Sequence, residues 1–483
     1  MTFRASMLAA LYAPALLLTA CATSPDYVAP RPNVGGAWLN PVDQGEVDAV
    51  WWRSFSDPVL AAIVDAALAE NKSLDEADAR LREARAQRDA VHGRATPQAN
   101  LGALATENRL SLNGQLPVGR VPGLGRDLSL YDVGFDAAWE LDLWGGVRRG
   151  KESADARLDA AAEARRSAIL QVIAEAARAY FDLRTAQALK ANAIADARAQ
   201  ADLADLVARR ERAGAASRFD VVRAQAQARS TAAAVAAHDA EAATAAYRLA
   251  LLTGRPPEAL DPSWIAAAPL PAPPAGVTAG LRSDLLLRRP DVRRAERDLA
   301  ASTADIGVAT ADLFPRVSLL GFTGLQAQEI GDLGSPDSLR FQFGPSLRWP
   351  IFSGGQIRAR IRAADARADA AAARYEDAVL TALSESETAI NRYRASSRVR
   401  LERDRARQDA DEAVTLARRR FEAGEEDLTA VLQAQFTASA LDRLAILAQA
   451  DQLRQTAALY KALGGGWEAA EAYRPPSPSS ATR

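Results

Sequence analysis

The residues of this chain with the means to do chemistry are few and far apart. One cysteine, Cys21, and two histidines, His92 and His238, stand among 483 residues. The histidines fall on separate predicted helices as exposed positions, and neither has a second His or Cys at ligand spacing. No metal, cofactor or nucleophile–base constellation is expected, and the chain reads as something other than an enzyme. Both methionines, Met1 and Met7, precede Cys21, so the rest of the chain offers no thioether path for copper. What remains is electrostatic: Asp132, Asp136 and Glu140 recur at even spacing, Arg340 and Arg348 do the same further on, and Asp220 lies six residues after Gly214.

Cys21 has an informative context. Arg4 precedes an apolar run from Met7 to Leu18, the form of a secretory signal over residues 1–20. Leu18-Thr19-Ala20-Cys21 is similar to a bacterial lipobox, in which the thiol receives a diacylglycerol, the new N-terminus is acylated (palmitate), and the chain is anchored. Ala22 in place of Asp fits passage to the outer membrane. A net charge of -2 gives no footprint for nucleic acid. After residue 20 no apolar run reaches the roughly 20 residues a helix needs to cross a bilayer. Any span would have to be a β-barrel.

The elements that must position these residues come in two sets, because the chain repeats itself with a displacement of about 210 residues. Arg209-Arg210, Ala213-Gly214, Val221, Ala224-Gln225, Leu249 and Gly254 correspond to Arg419-Arg420, Ala423-Gly424, Val431, Ala434-Gln435, Leu459 and Gly464. Between Gly150 and Gly214, and again between Gly355 and Gly424, no Gly or Pro interrupts a run of strong helix formers. Each half therefore predicts a helix of roughly 95 to 100 Å, a tight turn at Gly214 or Gly424, and a shorter returning helix. Leu428, Val431, Leu432, Phe436, Leu444 and Leu447 give the second returning helix an apolar stripe expected to pack. An opening helix of about 20 residues precedes each unit, with Ser73-Leu74-Asp75-Glu76 in the form of a capping box and Pro290-Asp291 suited to a helix start.

Between the opening and long helices the period falls from 3.6 to 2. Tyr131, Val133, Phe135, Ala137, Trp139 and Leu141 alternate with Asp132, Asp136, Glu140 and Asp142, and Leu339, Phe341, Phe343, Leu347 and Trp349 alternate with Arg340, Gln342, Ser346 and Arg348. These are two-faced strands of bilayer length, paired with segments around Leu101 to Glu107 and Val317 to Leu325. Gly114 to Gly125 would form an external loop. Asp132, Asp136, Glu140, Arg340 and Arg348 are expected to face a lumen, because a charge on lipid near the midplane costs roughly 2 to 4 kcal/mol. Four strands cannot close a barrel, so the chain must oligomerise. Two copies would give a filled eight-stranded barrel and three a twelve-stranded one with an aqueous lumen.

With these elements placed, the chain resembles the TolC-like outer-membrane efflux factors, in the OprM/NodT-type lipoprotein branch serving resistance-nodulation-division pumps. The resemblance is carried by Trp51-Trp52 with Phe55, Asp57-Pro58 and Leu60; by Arg288-Arg289-Pro290-Asp291-Val292 with Ala295-Glu296; by Phe314-Pro315 and Leu143-Trp144-Gly145-Gly146; and by Leu459 through Trp467. It implies a homotrimer, mostly α with a twelve-stranded outer-membrane β-barrel continued by a twelve-helix periplasmic tunnel, two repeats per chain. The implied partners are a periplasmic adaptor, an inner-membrane pump and outer-membrane lipid. The implied function is the exit duct of tripartite multidrug efflux. A type I protein-secretion conduit and, in a different class, a periplasmic adaptor remain as alternatives.

The divisions expected are a signal peptide at 1–20, a lipidated N-terminal and equatorial segment at 21–56, a first repeat at 57–260, a Pro/Ala linker at 261–282, a second repeat at 283–464, and a C-terminal tail at 465–483. Pro475-Pro476-Ser477-Pro478 in that tail reads as disordered. By the resemblance the tunnel closes at its periplasmic tips. Asp220 matches a gate aspartate, Phe421 a position often occupied by an aromatic partner, and Glu426 a position that is basic in some members. Gln433 replaces an aspartate of the constricting ring. Read from the residues alone, Asp220 is a carboxylate in a helix's first turn, favoured there by the dipole.

Overall fold

A computed structural model describes residues 25–473, apart from 31, 33, 41, 44, 114–124 and 427. The readings for Cys21, the 114–124 part of the expected external loop and the tail beyond 473 lie outside the described residues, as does the side chain of Leu428. The chain divides into two compact units. The first contains 82–160 and 295–375 with the chain start to Pro30; the second contains 31–81, 161–294 and 376–483.

The elements keep the order of the repeat. Helices α1 (Pro58–Glu70) and α2 (Lys72–Gly93) lead into strands β1 (Gln98–Arg109) and β2 (Asp127–Leu141), then the long α3 (Gly146–Arg212) and the returning α4 (Arg218–Leu252). The second half repeats the order with α5 (Pro290–Ala311), β3 (Arg316–Ala327), β4 (Leu339–Arg348), α6 (Gln356–Glu422) and α7 (Leu428–Ala462), then the short α8 (Trp467–Tyr473). Both long helices have 67 residues, roughly 100 Å at 1.5 Å per residue. α3 begins before Gly150, because the Asp142 carboxylate caps it, accepting from the Val147 and Arg148 amides at 3.0 and 2.7 Å.

The start of the first half corrects the sequence reading. Ser73 lies inside α2, and the residue that caps it is Asn71, whose Oδ1 accepts from the Ser73 amide at 2.9 Å. Asn71 can do this because a helix absent from the expectation, α1, ends just before it. The signal for α1 was present: Asp57 accepts from the Val59 and Leu60 amides with Pro58 in the first turn.

In the first unit the four strands form one antiparallel sheet in the order β1-β2-β3-β4. β2 pairs with β3, so the two repeats are stitched together by a strand pair, with Trp139 opposite Leu319 and Val133 opposite Leu325. Trp144 stacks on Phe314 at 4.9 Å and donates to the Pro315 carbonyl at 2.7 Å. Two of the resembling motifs therefore brace the foot of this sheet.

The second unit is built around an aromatic knot. Trp51 stacks on Tyr460 at 5.1 Å, Phe55 meets Phe181 at 5.1 Å, and Tyr180 donates to Asp57 at 2.5 Å. Burial of such side chains contributes about 1.5 to 3 kcal/mol apiece, and burial pushes the Tyr460 hydroxyl up to about 12. Trp467 donates to the Arg288 carbonyl at 3.0 Å, and the Arg166 guanidinium lies 4.6 Å from its ring. Along the helices, buried alanines such as Ala176, Ala177 and Ala450 let backbones approach. Polar ties including Arg454 to Asp182 at 2.7 Å and Asn192 to Asp442 at 2.8 Å fix their register. The linker packs back here, with Gln449 donating to the Pro271 carbonyl at 3.0 Å.

The expected stripe of α7 is packed only in part. Val431 is buried, while Phe436 and Leu447 are exposed on the single chain, because neither faces this chain's own knot. The histidines also differ from expectation. His92 is half-buried with Nε2 3.1 Å from Asp155, and His238 is half-buried against Glu241 at 2.9 Å. His92 reaches a carboxylate of α3, and His238 reaches one a turn further along its own helix.

Candidate functional site

Two places collect the residues singled out from sequence. The first is the sheet. Strand alternation puts Asp132, Asp136 and Glu140 on one face of β2, and the pairing carries that face through Gln326, Phe322 and Ser318 of β3 to Arg340, Gln342, Ser346 and Arg348 of β4. All five predicted charged residues therefore share a face. Arg340 pairs with Asp132, and Asn100 donates to Asp136 at 3.0 Å. The opposite face carries Leu101, Phe135, Trp139, Phe341, Phe343, Leu347 and Trp349, all exposed, Phe343 by 80%. So wide an uncovered apolar band requires an apolar surrounding. Trp139 and Trp349, at its lower rim, donate to the carbonyls of Ala95 and Leu313 at 3.0 and 3.1 Å. No described helix is long and apolar enough to cross a membrane.

The second place is the pair of helix tips. Gly214 and Gly424 have φ of 74° and 77°, the left-handed conformation that closes a helix. The Ala215 amide reaches the Arg210 carbonyl at 2.8 Å and the Glu425 amide the Arg420 carbonyl at 2.9 Å, the bond that defines a Schellman turn. Both tips turn by the same device, as the repeat implied.

Beyond the turn the two tips differ. Ser217 and Asp220 form a capping box: the Asp220 amide donates to Ser217 Oγ at 3.2 Å, and Asp220 Oδ2 accepts from the Ser217 hydroxyl at 2.6 Å and amide at 3.2 Å. The two Ser217 donors hold the Asp220 carboxyl below its ordinary range. Its local role is thus that of a helix cap. The Ser-x-x-Asp spacing carried that signal, and Ser217 was missed beside it. At the second tip Arg420 faces both Glu425 and Glu426, at 3.7 and 3.5 Å.

A cavity of about 540 Å³ joins the tips, lined by Leu203, Asp220, Arg223, Gln227, Gln433 and Phe436 among others. Asp220 and Gln433, widely separated in sequence, meet at its wall. Phe421 and Glu426 do not line it. Among the described residues no cluster of three or more His, Cys, Asp or Glu side chains could hold a metal.

Known proteins share this fold. A family model described as outer membrane efflux protein matches residues 63–255 and 281–465. Nodulation protein T of Rhizobium leguminosarum bv. trifolii is 31% identical over 460 residues, spanning 94% of this chain and 96% of that protein. Outer membrane protein OprJ of Pseudomonas aeruginosa is 33% identical over 475 residues, spanning 94% and 95%. The solved outer-membrane channel OprN is 37% identical with a TM-score of 0.84, over 93% of this chain and all of that one.

Proposed function

The chain belongs to the outer membrane efflux protein family, and we propose that three copies of it close into one passive exit duct, anchored by acylated Cys21 and joined to a periplasmic adaptor and a resistance-nodulation-division pump. Membership fixes the coarser statements. The protein is an outer-membrane efflux channel, mostly α with a membrane β-barrel and a periplasmic helical extension, two repeats per chain. The relatives are channel proteins, and the duct we propose conducts drugs or other small solutes without transforming them. The adaptor alternative falls with the family match.

The observation that carries the trimer is the open sheet. β1 and β4 each pair on one side only, which leaves two rows of amides and carbonyls that hydrocarbon does not tolerate. Twelve strands close with an aqueous lumen, whereas eight fill. The polar face of the sheet supports the lumen, and the apolar face supports lipid contact.

The internal repeat supplies the register of closure. Trp139 and Trp349 hold equivalent places, bonded to the equivalent carbonyls of Ala95 and Leu313. Trp139 lies opposite Leu319 and Ala137 opposite Gly321. Carried across that equivalence, Trp349 lies opposite Leu101 of the partner subunit, and Leu347 opposite Ala103 of the partner subunit. Oxidation of a Leu347→Cys, Ala103→Cys protein should therefore link chains into covalent trimers in membranes. A ladder stopping at dimers, or stronger linkage when Leu347→Cys is combined with Leu101→Cys or Ala105→Cys, would overturn this closure.

A further inference from the structure

On the polar face of the sheet, in the half nearer the strand-to-strand connections, one stack is built from three strands. Gly134 and Gly324 are cross-strand partners. Their backbones approach so closely that a Cβ on Gly134 would lie 2.8 Å from Gly324 Cα, and one on Gly324 would lie 2.5 Å from the Val133 carbonyl oxygen. The Phe322 ring lies over this glycine floor, its Cζ 2.8 Å and 3.1 Å from those two Cβ positions. An aromatic laid across glycines in a sheet covers backbone that has no side chain of its own. The Arg340 guanidinium carbon then sits 4.1 Å from the centroid of the Phe322 ring. Arg340 also pairs with Asp132, whose Oδ2 accepts from Gln326 at 2.8 Å.

Each layer constrains the next. On this face β3 carries Ser318, Leu320, Phe322, Gly324 and Gln326, so Phe322 is its one aromatic member. Its partners are the glycines below and the guanidinium above. An arginine left to itself would sweep the space in front of the sheet. Here its side chain is held over the Phe322 ring by the pair with Asp132 while remaining 42% exposed, against 13% for Asp132.

We propose that Asp132, Phe322 and Arg340 form a charge-balanced collar in the barrel lumen. Phe322 fixes the height of Arg340, and Asp132 offsets its charge, so that three copies narrow the exit without giving it a net sign at that level. The inference rests on the reading of this face as the lumen.

The test is made on intact cells carrying the assembled protein. Glu140→Cys places a thiol on the same face, on the helix side of the stack, and the unsubstituted chain has only Cys21 as background. Modification by a cationic and an anionic methanethiosulfonate added outside gives a ratio of rates. In the Glu140→Cys background, Arg340→Gln is expected to raise the cation-to-anion ratio about twofold or more, and Asp132→Asn to lower it similarly. Phe322→Leu alters no charge and should accelerate both reagents by releasing Arg340. If the single variants do not assemble, the exchange of Asp132→Arg with Arg340→Asp retains a pair and should keep the parental ratio. A ratio unmoved by both charge variants, or shifted by the exchange, overturns the collar. Modification of Phe343→Cys, on the opposite face, as fast as Glu140→Cys, or none at Glu140→Cys, overturns the lumen reading instead.

Discussion

Four glycines repeat in pairs along the helices, and the two pairs hold different places. Gly214 and Gly424 turn the long helices, while Gly254 and Gly464 end the returning ones, all four with φ between 66° and 77°. Conformation alone demands glycine at the tips, where an added Cβ would meet nothing within 4 Å. At the other ends space demands it too. A Cβ on Gly254 would run into the Glu70 carbonyl oxygen, and one on Gly464 would lie 3.2 Å from the Arg288 carbonyl. Around Gly254 the chain is locked: Asn71 donates to the Leu252 carbonyl at 2.7 Å, and Arg255 binds Glu70 through two nitrogens at 3.0 and 2.8 Å. The chain thus packs its returning helices tightly where they end, while the turns at the tips are closed by local bonds.

The largest expected effect breaks this comparison if it fails. Gly254→Ala should cost about 2 to 5 kcal/mol, from left-handed strain of roughly 1 to 2 and overpacking of about 1 to 3 kcal/mol. Gly214→Ala should cost only the strain. Thermal unfolding of the purified proteins followed by circular dichroism separates the two, and equal losses would show that the ends are no tighter than the tips.

The same division explains what could be read from the sequence. Periodicities, the glycine pairs and the Trp and Phe-Pro motifs report on elements and their packing, and these stood out because each is repeated or stretches over many residues. The five charged strand residues were legible for the same reason, since alternation alone assigns a face. The tip was less legible. Ser73 and Ser217 both begin patterns of capping-box form, and only the position of α1, which lets Asn71 take the first, decides between them. Phe322 was hidden because its meaning depends on Gly134, a partner from the other repeat. Phe436 read as core because an apolar stripe on a helix does not say whether its own chain covers it.

A smaller effect sharpens the comparison between the two tips. Asp220 and Gln433 meet at one cavity, but only Asp220 is an ionised cap, and its equivalent in the second half is Ala430. Asp220→Ala is expected to raise single-channel conductance in planar bilayers severalfold and to sensitise cells to large antibiotics, with Gln433→Ala changing either one less. Ser217→Ala, which removes the hydroxyl partner and leaves the carboxylate, should fall between them. Should Asp220→Ala conduct like the parent while Gln433→Ala opens the pore, the constriction belongs to the second tip.

The smallest effect is the response of the first tip to pH, and its sign comes from the cap. The hydroxyl and amide of Ser217 stabilise the ionised form of Asp220, so its folded pKa lies below the ordinary 3.8. A depressed carboxylate contributes its stabilisation fully above the unfolded value and loses it as pH falls through the folded one. Conductance should therefore be flat between about pH 7 and pH 5 and rise only below about pH 4. Ser217→Ala, with one donor fewer, should move that rise upward toward the ordinary carboxylate range, and Asp220→Asn should abolish it. These shifts are modest because the carboxylate is solvated, which is why they discriminate well: a deeply buried gate would titrate far from 3.8 and with larger amplitude. A parental transition between about pH 5 and pH 7 that survives Asp220→Asn would assign the closed state to another group and leave Asp220 as a helix cap alone.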